Sequence, residues 1–161
     1  MRHLAWLSVV AIAALIDGLL AGASLDQSIE QLPARHRIGV RAYFAYSRAS
    51  HLANGRFWLV PLGLGGAAIT VAAAIWAAAL DLPRDRALPI FIAGALAAGH
   101  ALVNLRAVPI NLSQWRVGGD DAALASVLRR FARWQGVRAT LQGLTFAATV
   151  WALTVNAWPT A

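Results

Sequence analysis

The sequence predicts an all-α integral membrane protein: an antiparallel four-helix bundle whose cytoplasmic loops carry amphipathic helices. Three observations lead there. The chain has 161 residues, of which 59% are hydrophobic and 13% charged, against a charged share of about 25% in soluble domains. The charges spare four apolar stretches, at 4–23, 57–80, 87–105 and 137–158. Each approaches or exceeds the roughly 20 residues needed to cross about 30 Å of hydrocarbon. All the arginines except Arg138, finally, lie outside the stretches. A single membrane domain over 1–161 is expected.

The first stretch begins "MRHLAWLSVVAIAALIDGLLAGAS", with a basic start, an apolar run and a small-residue "AGA". A cleavable signal peptide reads the same way. Asp17 and the following "GLLAG" extend the pattern beyond such a segment, so a retained first helix is expected. In the second stretch, "GLGG" at 63–66 lies inside an apolar span with no strand before it. Close helix packing suits these glycines better than phosphate binding.

Counting arginines sets the orientation. With four spans, one side holds Arg2, Arg84 and Arg86, and the other holds the remaining 11 of the 14. The positive-inside rule then places both long loops in the cytoplasm and both termini outside. The first loop, "RHRIGVRAYFAYSRASHLANGRFW", mixes arginines with Tyr43, Phe44 and Tyr46, a composition suited to the membrane interface. The second contains "DDAALASVLRRFARWQ" from Asp120. An N-cap aspartate there precedes Leu124, Val127, Leu128 and Phe131 on one helical face. This segment is expected to lie on the membrane surface or to run straight into the fourth span.

Several function classes drop out. The chain has no cysteine, which removes disulfides, thiolate metal sites and thiol redox chemistry. All basic residues are Arg, and attraction to anionic headgroups explains the net charge of +7. No recognition motif accompanies it, so nucleic acid is not an expected partner. The histidines and carboxylates show no metal-ligand spacing, and no metal site is expected.

Polar residues at membrane depth are costly, and each needs a partner or a purpose. His100 and Asn104 stand four apart on one face of the third span. Asp17 lies at similar depth in the first span. Arg138, Gln142 and Thr145 share a face of the fourth, and His51 and Asn54 precede the second. All fall in the inner half of the predicted bundle. Each has a structural reading, as a hydrogen bond between helices or a snorkelling anchor. Each also has a chemical one. Imidazole, with an ordinary pKa of about 6.5, is the side chain suited to take a proton near neutral pH.

"VPIN" at 108–111 followed by "WQGVRAT" at 134–140 resembles the paired signature of the anthrone oxygenase-like family of small membrane proteins. That signature is Asn-x-Pro-x-Asn after the third span and Trp-Asn-x-x-Arg opening the fourth. The likeness covers nearly the whole chain, including "YSRASHLANG". It points to Pro109, Asn111, Trp134 and Arg138. Two positions depart from the pattern: Ala107 stands where the family has its first Asn, and Gln135 where it has Asn after Trp. The resemblance implies a bacterial inner-membrane protein that oxidises an anthrone-like polyketide to a quinone. Dioxygen would be the co-substrate, and no cofactor is expected.

Such a site would use His100 as base, oriented by Asp17, with Asn104, Arg138 and Gln142 as donors to the developing oxyanion. Asn111, Trp134 and His51 join Gln142 as candidate substrate-binding residues. The expected partners are then the lipid bilayer and a small lipophilic aromatic molecule. The alternative is a non-catalytic structural, partner-binding or lipid-binding protein whose polar residues hold the helices together. The two differ in whether His100, Asn104 and Arg138 line a cavity or close on one another.

Overall fold

The computed structural model describes residues 1–117 and 119–158. Its regular elements are all helical. Helix α1 (Arg2–Asp26) passes through a π-helical turn (Gln27–Gln31) into α2 (Leu32–Ile38). Gly39 breaks the chain at φ +87°, a conformation that side chains with a Cβ rarely adopt. After it come α3 (Val40–Ala49), a second π-helical turn (Ser50–Asn54) and α4 (Gly55–Ala78). The first loop, read at 35–58 as an interfacial segment, is helical on both sides of one glycine, in keeping with the helices expected in the loops. Arginine and alanine are good helix formers, and charge alone does not unwind a helix. Helix α5 (Arg84–Leu112), the short α6 (Gln114–Val117) and the long α7 (Asp121–Ala157) complete the chain.

The expectation of a bundle of four membrane spans is corrected here. Among the described residues, three helical stretches are long and apolar enough to cross a membrane: Arg2–Ile38, Val40–Ala78 and Arg84–Val117. The fold is all-α with three such helices, and α7 is not one of them. Its length is ample. What it lacks is apolarity, because Gln135, Gln142, Thr145, Thr149 and Asn156 recur at helical spacing on its buried face. In the fourth stretch the large apolar side chains face outward, while the inward face alternates these polar groups with Ala139, Ala148 and Ala152.

Helix α7 nevertheless packs along α1 and α5, and α4 packs along the same two helices. Asp120 caps it, its Oδ1 accepting from the amides of Ala122 at 2.8 Å and Ala123 at 3.0 Å. Leu124, Val127, Leu128 and Phe131 are buried as their spacing predicts. Leu124, Leu128 and Phe131 meet protein rather than the membrane surface, forming a core with Leu32 and Tyr43. The helix then continues without interruption to Ala157.

Two apolar cores enclose a polar layer. At one end Trp6, Val10, Ala73, Ala77, Ile90, Ala93 and Ala152 interlock, and the many alanines let backbones approach closely. At the other end lies the core around Leu32 and Leu128. Between them sit Asp17, Thr70, His100, Gln135 and Gln142, all buried. Gly66 belongs to this layer: a Cβ there would meet Ile16 at 3.0 Å and the Asp17 carboxylate at 3.3 Å. Of the glycines in "GLGG" it is the one that needs its small size for packing. Large apolar side chains face outward along the helices, among them Leu15, Leu64, Ile75, Leu102 and Leu105. A water-soluble monomer rarely exposes so much contiguous apolar surface, whereas a lipid-facing surface requires it.

Candidate functional site

The polar layer opens into a cavity of about 670 Å³, within the roughly 300–1,000 Å³ usual for small-molecule sites. It lies between the last turns of α1, the first half of α4, the second half of α5 and the middle of α7. Its walls are mostly apolar, including Leu20, Leu59, Leu64, Leu105 and Val108. Polar groups occupy one side: His100, Asn104, Arg138, Gln142 and Gln27, with Asp26, Gln31 and His51 nearer the end of the helices.

His100 is 3% exposed and is held by amides from two helices. Asn104 Nδ2 donates to its Nε2 at 2.9 Å, one turn along α5, and Gln142 Nε2 donates to the same atom at 2.7 Å from α7. Asn104 is itself oriented by Arg138, whose Nη1 donates to Oδ1 over a long 3.4 Å. An Nε2 that accepts hydrogen bonds carries no proton, so the neutral ring is protonated on Nδ1. The nitrogen facing these amides is therefore the basic one.

Arg138 enters from α7 and also donates through Nη2 to Gln27 Oε1 at 3.0 Å. Its Nε is buried without a hydrogen-bond partner. The neighbouring Gln135 is fully buried and donates to the Ser24 carbonyl at 3.2 Å, tying α7 to α1 beside the cavity.

The π-helical turns flank the same space. Such turns often occur at functional sites because the extra residue redirects side chains. The first supplies Gln27 and Gln31, and the second supplies His51. His51 Nε2 donates to Gln31 Oε1, and Gln31 Nε2 donates to the Asp26 carboxylate. This chain of hydrogen bonds forms the rim.

Of the residues expected at a site, the structure gathers His100, Asn104, Arg138, Gln142 and His51 around one cavity. Asp17 is buried one step away. Its carboxylate accepts from Thr70 Oγ1 at 2.9 Å, and it meets His100 and Gln142 only across a void too tight for a water molecule. Asn111 lies outside the cavity, its Oδ1 and carbonyl oxygen both accepting from Gln114 Nε2. Trp134 is 36% exposed and also lies outside the cavity. Pro109 does line it. Ala107, where the resembled signature has Asn, is fully buried. Sequence reading missed Gln27 and Gln31. Their spacing of four was the available signal, but both fall between the first apolar stretch and the arginine-rich loop, outside the spans searched for polar residues. Among the described residues no three His, Cys, Asp or Glu side chains converge to hold a metal ion.

Compared with family models, curated proteins and solved structures, the chain shows no match. The resemblance to anthrone oxygenase-like proteins thus rests on the motif residues alone.

Proposed function

We propose that this is a membrane-embedded oxygenase-like protein acting with dioxygen on a lipophilic aromatic substrate of anthrone or hydroquinone type. The observation that carries the reading is the pairing of an apolar cavity of about 670 Å³ with His100, Asn104, Arg138 and Gln142 along one wall. An anthrone methylene lies between two aryl rings and opposite a carbonyl, so a modest base removes its proton. His100 Nε2 takes that proton, displacing one of its amide donors. The amides and Arg138 then stabilise the enolate oxygen. The enolate passes one electron to dioxygen, and the two radicals combine to form a C–O bond. The resulting peroxide loses water to leave the second carbonyl. One anthrone and one O₂ give one quinone and one H₂O, and the imidazole returns to its starting state. No external reductant enters.

Detergent-purified protein supplied with anthrone is expected to consume one dioxygen per quinone formed, measured with an oxygen electrode against the uncatalysed rate. No uptake above that rate with any anthrone or hydroquinone would sink the enzyme reading. A second reading has its own support: the His100 lone pair is already engaged by Asn104 and Gln142. A non-catalytic lipid- or ligand-binding protein would hold these groups in just this way. Saturable anthrone binding without oxygen uptake would favour it.

The arginine-rich ends of the helices, around Arg37 and Arg116, face the cytoplasm by the positive-inside rule. The turn near Arg84 lies at the opposite end of the helices, outside the bacterial inner membrane. Because the chain has no cysteine, single introduced cysteines report this directly. One at Arg37 should be shielded from a membrane-impermeant maleimide in intact cells, and one at Arg84 should react. The opposite pattern would reverse the orientation.

A further inference from the structure

Arg138 is a part-buried cation with no counterion among the described residues. Its two hydrogen bonds go to neutral amide oxygens, Gln27 Oε1 and Asn104 Oδ1, and its Nε has no partner. Among the described residues no carboxylate lies within ion-pair distance of it; the ion pair there joins Arg41 and Asp121 on the surface. Asp26, at the rim of the same cavity, is engaged by Gln31. A charge drawn partly out of water and left unpaired is unfavourable, and a ligand of opposite charge would relieve it. The opposite side of the cavity differs completely. There Trp58, Leu64 and Leu105 line it and are also among the most exposed side chains, at 73%, 64% and 70%. The cavity therefore opens sideways, between α4 and α5, onto the surface that faces lipid.

We propose that the cavity binds an anionic amphiphile, with its carboxylate, phosphate or phenolate head on Arg138 and its apolar body leaving through the α4–α5 opening. This deepens the proposed function by giving the substrate class a charge, and it rests on that reading only for the identity of the site. The head seats against a guanidinium whose two terminal nitrogens are oriented by Asn104 and Gln27. The apolar body needs no desolvation, since it moves from bilayer to cavity without meeting water.

The test is binding, independent of turnover. The probe is cis-parinaric acid, a fluorescent polyene carboxylate, titrated into detergent-purified full-length protein, with its methyl ester as the uncharged control. The acid should bind at least tenfold more tightly than the ester. Arg138→Gln should lose that preference, and Arg138→Lys should keep part of it. Equal affinity for acid and ester on the native chain would overturn the proposal, whether or not either variant folds. Competitors identify the natural source: displacement by oleate points to a free acid, displacement by phosphatidylglycerol to a bilayer lipid, and displacement by neither overturns the site. Acid-selective binding without oxygen uptake would uphold this site while sinking the oxygenase reading. Oxygen uptake on neutral anthrones with no preference for the acid would do the reverse.

Discussion

His100→Gln is expected to lower turnover by about a hundredfold or more, the lower end of what a general base contributes, while leaving the folded protein intact. Glutamine approximates the size of imidazole and offers an oxygen close to where Nε2 now accepts from Asn104 at 2.9 Å and Gln142 at 2.7 Å. Both amide donors then remain satisfied, which matters because a buried donor left alone costs about 1–3 kcal/mol. What is removed is the basic nitrogen. The initial rate of oxygen uptake measures the loss, and size-exclusion behaviour in detergent measures the fold. A variant that folds and keeps full turnover would place the base elsewhere. One that fails to accumulate would make His100 chiefly a link between α5 and α7. Asn104→Ala serves as the companion. It removes one donor to His100 and one partner of Arg138 together, so it should weaken substrate binding as well as turnover.

The largest stability effect is expected at the other end of the molecule, from Trp6→Ala. Trp6 is 0% exposed and donates from Nε1 to the Ala73 carbonyl at 2.9 Å, fastening α1 to α4. Around it the core is built largely from alanines at 73, 74, 77, 93, 148 and 152, with Val10 and Ile90. Side chains this small cannot move into the space an indole leaves. The loss should be about 3–5 kcal/mol, the range for removing a buried aromatic ring, read from unfolding in mixed micelles as the fraction of denaturing detergent rises. Trp6→Phe keeps most of the packing and loses the hydrogen bond, at a cost of about 1 kcal/mol. If Trp6→Ala unfolds within 1 kcal/mol of the native chain, the Ala-rich core is more plastic than its packing suggests.

What the sequence determined by itself was the solvent and the local helices. Counting along the sequence finds four apolar stretches of spanning length, and three of them lie in helices long and apolar enough to cross a bilayer. The buried face Leu124–Val127–Leu128–Phe131 was legible for a similar reason, since spacing alone assigns those residues to one side of a helix. His100 and Asn104 could be paired because they stand one turn apart. Only the tertiary structure decided the rest. It showed that the last helix turns Gln135, Gln142, Thr145 and Thr149 inward, so its apolar appearance reports the outer surface and not a spanning core. It gave Asp17 to Thr70 rather than to His100, a choice set by the approach of α4 at Gly66. It also brought Gln27 to Arg138 across 111 residues. Hydropathy and periodicity describe one helix at a time, whereas a cavity is defined by where separate helices fail to touch. That property belongs to no single stretch of the chain, and here two π-helical turns bring Gln27, Gln31 and His51 to its edge.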